Sequence, residues 1–145
     1  MKSLKNKKAL HEYFVIQKYE AGIALKGTEI KSIRAGMINF KDSFAKIDNG
    51  ECWLHNLHIS PWEKGSYFNH EAERKRKLLL HKSEINRLKT KVDEQGMTLI
   101  PLEIFINDQG KCKVSIALAK GKKFFDKRES LQQKDLERER AREAK

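Results

Sequence analysis

Cysteine and proline are scarce in this chain, with two of each in 145 residues. Cys52 and Cys112 stand sixty positions apart and neither has a C-x-x-C partner, so the pattern is neither a disulfide framework nor a zinc ribbon. Both are read as small hydrophobes on strands. Long apolar runs are absent too. The longest span a few residues, against the ~20 that a membrane-crossing helix needs, and the mean hydropathy is -0.73. The basic start, MKSLKNKKAL, leads into no apolar h-region or small-residue cleavage site. Cytoplasmic residence without a membrane is therefore expected.

Catalytic constellations are also missing. His55 and His58 are three apart in a predicted strand, where a period of two sends them to opposite faces, so they do not share a metal. AKGKK has a glycine and lysines but lacks the spacing of a phosphate-cradling G-x-x-x-x-G-K-[ST] loop. No serine has a histidine at motif spacing, and the carboxylates sit beside lysine or arginine. The sequence implies no enzyme, no cofactor and no metal.

Positive charge, by contrast, is abundant. The formal net charge is +11 and the pI about 9.7. Residues 120–145 contribute 10 basic and 6 acidic groups, so the excess belongs to both parts of the chain. A polyanionic partner is favoured. Nucleic acid is favoured over a membrane surface, because no stretch combines a basic with a strongly apolar face.

Periodicity points to a mainly β fold. HEYFVIQ (11–17) and YEAGIAL (19–25) read as two short strands, followed by a brief helix over 28–36 that Thr28 caps and Gly36 ends. Residues 42–47 and 52–59 form a hairpin around Asn49-Gly50. Residues 62–77 read as a loop. A helix over 81–96 has Ser83 as its cap and Ile85, Leu88 and Val92 on one face. A second hairpin joins 97–107, where Pro101 predicts an edge or bulge, to 111–119, where Cys112, Val114, Ile116 and Leu118 alternate with Lys111, Lys113 and Ser115. Six strands and two short helices without βαβ alternation predict a small closed or nearly closed antiparallel barrel over 1–123. The segment 124–145 stands apart. It has no Gly, Pro or β-branched residue, so propensity favours helix, yet Leu131 and Leu136 make no apolar stripe.

Several residues are candidates for RNA contact. ERKRKLLLH sets Arg74, Lys75, Arg76 and Lys77 against three leucines, which would hold phosphate-binding groups on a rigid edge, unless the run is merely a solvated loop. Lys31 and Arg34 in KSIRAG add to the charge, as do the N-terminal lysines. Glu20, a carboxylate in a basic setting, either accepts a hydrogen bond from a base edge or ribose hydroxyl or makes an ordinary strand salt bridge. His11 and Tyr13 either stack on a base or fill the barrel rim.

The stretches NKKALHEYFVIQKYEAGIALKGTEIKSIRAG, RKRKLLLHKSEI and ALAKGKKFFDKRE resemble, in order and spacing, the three signatures of the SsrA-binding protein (small protein B) family of bacterial trans-translation. The likeness covers nearly the whole chain. It implies an oligonucleotide-binding-type barrel with flanking short helices, acting as a monomeric adaptor without catalysis. The partner it implies is transfer-messenger RNA, bound through its tRNA-like domain and carried with elongation factor Tu to the decoding centre and mRNA channel of stalled ribosomes. Carried over by position, the family's RNA contacts fall on His11, Glu20, Leu79 and His81; Lys31, Arg34, Arg74, Arg76 and Lys77 are added from charge alone. The ribosome-binding tail signature falls on Gly121, Lys122, Lys123, Phe125, Asp126, Lys127 and Arg128. The chain departs from the common pattern at Ala72, where many members have proline. The resemblance also gives the tail a purpose: a helix that cannot persist alone would form when an anionic channel neutralises it. The competing reading is a ribosomal or assembly protein without transfer-messenger RNA specificity.

Overall fold

A computed structural model describes residues 3–62 and 69–122. The tail expected over 124–145 lies outside these residues, as does Lys123.

Among the described residues nine strands and three helices follow one another: β1 (Ser3–Lys5), α1 (Lys7–Glu12), β2 (Tyr13–Ile23), α2 (Gly27–Arg34), β3 (Ile38–Asn39), β4 (Phe44–Asp48), β5 (Glu51–His55), β6 (His58–Ile59), β7 (Arg76–Leu79), α3 (Lys82–Gln95), β8 (Thr98–Ile106) and β9 (Cys112–Gly121). The main sheet runs β1-β8-β4-β5-β7-β2-β9, and β9 returns to pair with β8. Six antiparallel strands thus close into a barrel, with β1 added outside the ring along the far half of β8. Closure leaves the ring without a free edge. The predicted barrel is present, but its six strands are not the six expected.

The two short strands expected over 11–25 are one eleven-residue strand, β2, preceded by the helical turn of α1. A register shift between Val15 and Gln17 against β9 lets a single strand bend around the barrel. The vacated place is filled by β7, formed by the end of the supposed 62–77 loop. The strand expected over 52–59 breaks at Asn56, whose φ of 65° is left-handed. His58 therefore lies on β6, which pairs with β3 outside the barrel. The hairpin at Asn49 and Gly50 is as expected, with φ of 51° and 74°.

Both helix caps lie two residues before the expected ones, at Lys26 and His81. In α2 the Glu29 carboxylate accepts the Lys26 N–H at 2.8 Å, while the Thr28 hydroxyl bonds His70 Nδ1 at 2.8 Å instead of capping. In α3 the corresponding bond runs from the His81 N–H to Glu84 at 3.2 Å, and Ser83 lies inside the helix. Both are the glutamate half of a capping box.

The barrel is filled by Ala21, Ile23, Leu54, Leu78, Leu88, Leu99, Ile104, Val114, Ile116 and Leu118, among others. The alternation expected in β9 is present, and Pro101 adjoins a register shift in the β8–β9 pairing. The outer side of that pairing is also covered, where Ala9 of α1 packs with Ile100, Leu102, Ala117 and Ala119. Cys52 is buried and Cys112 half-buried; both thiols are free, and burial pushes each up to about 11.

Candidate nucleic-acid interface

Arg76 is not a surface group. It is fully buried, because β7 alternates Arg76 and Leu78 inward with Lys77 and Leu79 outward. Its Nε donates to Glu29 Oε2 at 2.5 Å, and its terminal nitrogens donate to the carbonyls of Leu57 and Ala72. Arg74 donates to the other oxygen of the same carboxylate. Burial raises the pKa of Glu29, but hydrogen bonds from Arg74, the Lys26 N–H and Arg76 outweigh it and hold the carboxyl below its ordinary value. Glu29, which the sequence did not single out, thus ties α2 to the strand that carries Leu79. Arg76 is removed from the phosphate-contact set, and Arg74 is largely engaged.

Glu20 and Leu79 lie toward the C-terminal end of β2, with His81 two residues beyond Leu79 in the chain. Gly22 pairs with Leu79, and a methyl group at Gly22 would come within 3.2 Å of the Leu79 Cβ, so the glycine lets the two strands close up. Leu79 is nonetheless 53% exposed, an aliphatic side chain held over open solvent. Glu20 projects from the same outward face as Gly22, opposite Ser115, while Lys113 stands opposite Gly22. His81, the exposed cap of α3, follows two residues after Leu79. Glu20 is exposed and makes no ion pair among the described residues, so the salt-bridge reading of this carboxylate has no support. Lys31 and Arg34 are exposed on α2, which begins four residues after β2 ends, and neither is ion-paired among the described residues. Lys77 points outward and shares its charge with Glu51 at 3.3 Å.

His11 belongs to a different place. It is exposed in the last turn of α1, at the other end of β2, roughly 30 Å of strand from Gly22. The first tail residues meet it there: Gly121 pairs with Tyr13, and Lys122 donates to the Leu10 carbonyl while its ammonium lies 5.2 Å from the Phe14 ring centroid. The structure therefore divides the expected RNA contacts between two ends of one strand. Lys123, Phe125, Asp126, Lys127 and Arg128 lie outside the described residues. Among the described residues no group of His, Cys, Asp and Glu could hold a metal ion. No helix there is long and apolar enough to cross a membrane.

A small closed antiparallel barrel with short flanking helices is of the oligonucleotide-binding type. The model of the SmpB protein family matches residues 3–145, and the chain belongs to that family. It is 59% identical over 140 residues to the SsrA-binding protein of Desulforudis audaxviator (strain MP104C), spanning 97% of this chain and 91% of that one. It is 55% identical over 137 residues to the SsrA-binding protein of Bacillus cytotoxicus, covering 94% and 88%. Among solved structures, a chain described under "tmRNA-SmpB: a journey to the center of the bacterial ribosome" superposes with a TM-score of 0.71 at 55% identity, covering 83% of this chain and 84% of that one.

Proposed function

We propose that this chain is a cytoplasmic RNA-binding adaptor that holds the tRNA-like domain of transfer-messenger RNA and delivers it, in company with elongation factor Tu, to stalled ribosomes for tagging of the nascent peptide. The observation that carries the reading is the unpaired Glu20 on the same outward face of β2 as Gly22, which pairs with the exposed Leu79, in a chain of the SmpB family. A carboxylate repels phosphate, so it weakens indiscriminate RNA binding and strengthens only a hydrogen bond to a donor on the correct RNA. Leu79 offers apolar contact beside it. Lys31 and Arg34 supply the phosphate attraction, and the Glu29 clamp, to which Arg74 and Arg76 belong, fixes the strand that presents Leu79. No step here makes or breaks a covalent bond, so the adaptor works by binding alone.

The opposite end of β2, with His11, Gly121 and Lys122, is where the chain departs toward 124–145. This segment acts as a second binding element. Its lysines and arginines enter the mRNA channel when no message fills it, with Phe125, Asp126, Lys127 and Arg128 directing the approach from the decoding centre. About 22 residues of helix reach roughly 33 Å, a length suited to lining a channel. The test is reconstitution: the purified chain is added to transfer-messenger RNA, elongation factor Tu and ribosomes stalled at the end of a message. Tagging that depends on this chain supports the reading. Equal retention of unrelated structured RNAs without tagging would instead indicate a ribosomal or assembly protein.

A further inference from the structure

Trp53 lies at the centre of the outward face of β4, β5 and β7, directly between Lys46 on β4 and Lys77 on β7. Two strand spacings separate those lysine backbones, roughly 10 Å. The Lys75 ammonium rests 4.6 Å from the centroid of the indole ring. Beyond it, Phe44 and His55 stack with centroids 5.2 Å apart and planes 13° from parallel. Burial, then the positive charges of Lys75 and Lys46, hold the imidazole pKa below its usual value against the opposing pull of Asp48, so this pair is a neutral flat surface at ordinary pH. The carboxylates of the face are Asp48 and Glu51, opposite each other in the strand register at the hairpin tip, and Glu51 is ion-paired with Lys77. Lys46 and Lys75 have no carboxylate partner among the described residues.

None of these aromatic residues serves the Glu20 end of β2, and Trp53, half-buried beneath Lys75, belongs to neither hydrophobic cluster, so core packing does not explain its lysine neighbours. We infer that the β4–β5–β7 face is a second RNA-binding surface, on which an unpaired nucleotide stacks on Trp53 and its flanking phosphates are held by Lys46, Lys75 and Lys77. Base stacking on an indole tolerates any sequence, because every base has a π-face. A duplex keeps its bases stacked internally, so the ligand is single-stranded RNA. Lys75 now covers the ring as a cation–π partner, and its flexible stem lets it swing onto a phosphate when a base arrives. Because Lys77 and Leu79 both point outward two residues apart on β7, the surface adjoins the Glu20 end without sharing its residues. The inference shares with the proposed function only the premise that the chain binds RNA.

The test uses the full chain and an eight-nucleotide oligouridylate. In a Trp62→Phe background Trp53 is the remaining tryptophan. Its emission should be quenched by the oligouridylate along the same curve as the anisotropy of the labelled RNA. Trp53→Leu should weaken oligouridylate binding by about 5- to 150-fold, the range for one stacked base. Trp53→Phe should retain most of the binding, and Lys46→Ala with Lys75→Ala should weaken it while the indole stays in place. Each variant should bind a tRNA-like hairpin as the parent does, and hairpin and oligouridylate should bind together. An unquenched Trp53, unchanged oligouridylate affinity in Trp53→Leu, or displacement of one RNA by the other would overturn the inference, including in favour of a protein occupant. Failure of the parent to bind the hairpin would sink the proposed function alone.

Discussion

Glu29→Gln isolates the clamp that holds the candidate site in place. The substitution keeps the side-chain shape but removes the charge, leaving a fully buried Arg76 guanidinium with only neutral acceptors. Breaking one side of a buried ion pair costs about 3–5 kcal/mol, mostly because the remaining charge stays out of water. At about 3 °C per kcal/mol for a chain of this size, the melting temperature should fall by roughly 10–15 °C. Urea denaturation followed by far-UV circular dichroism gives the free energy directly. Replacing both Glu29 and Arg76 by methionine should recover at least half of the loss, since desolvation then disappears with the charges. The same clamp sets an acid limit. The Glu29 carboxyl is held below its ordinary value when folded, so its contribution is full above the unfolded value of about 4.3 and is lost as pH falls through the folded one. The parent should therefore lose stability below about pH 4, and Glu29→Gln should show a shallower acid limb. A loss under about 1 kcal/mol in Glu29→Gln, or a double methionine variant no better than the single one, would refute the reasoning.

Lys31→Glu with Arg34→Glu should make the salt dependence of RNA binding shallower by roughly one to two units of slope, as measured by gel shift across salt concentrations, because two phosphate-neutralising groups are lost without touching the core. Arg76→Glu should instead leave no folded protein to titrate, seen as a missing thermal transition. A chain stopped after Lys123 should keep its melting temperature and its affinity for the tRNA-like RNA, yet lose tagging in the reconstituted system. A truncated chain that tags normally would show that 124–145 has another role.

Much of the barrel can be read from local pattern. The alternation in 111–119, the Asn49-Gly50 turn and the apolar face of 82–95 each carry their own period, and the structure keeps them. Local pattern misleads where tertiary contacts override it. β2 reads as two strands because Gln17 and Lys18 interrupt the apolar pattern, and only the bulge against β9 shows why the strand continues. Arg76 reads as surface because four consecutive basic residues suggest solvent, yet strand alternation alone puts it on the side of Leu78. Its partner, Glu29, lies 47 residues away and carries no sequence mark. Trp53 carries no local mark for a related reason: its lysines come from β4 and from β7 with the residue before it, and meet the indole only through the sheet register. Among the candidate contacts, Glu20 and Leu79 lie toward one end of β2, whereas His11 lies at the far end of the same strand.

The most direct test of the account is Glu20→Ala, assayed against two RNAs under the same salt conditions. Glu20 lacks an ion pair among the described residues, so its removal should leave the thermal transition in place. Binding to the tRNA-like domain of transfer-messenger RNA should weaken by about 5- to 150-fold, the range for one directed hydrogen-bonding contact. Binding to an unrelated structured RNA should stay equal or tighten, because a negative charge has left a basic surface. Parallel weakening of both RNAs together with a lowered melting temperature would contradict the account and make Glu20 a structural residue.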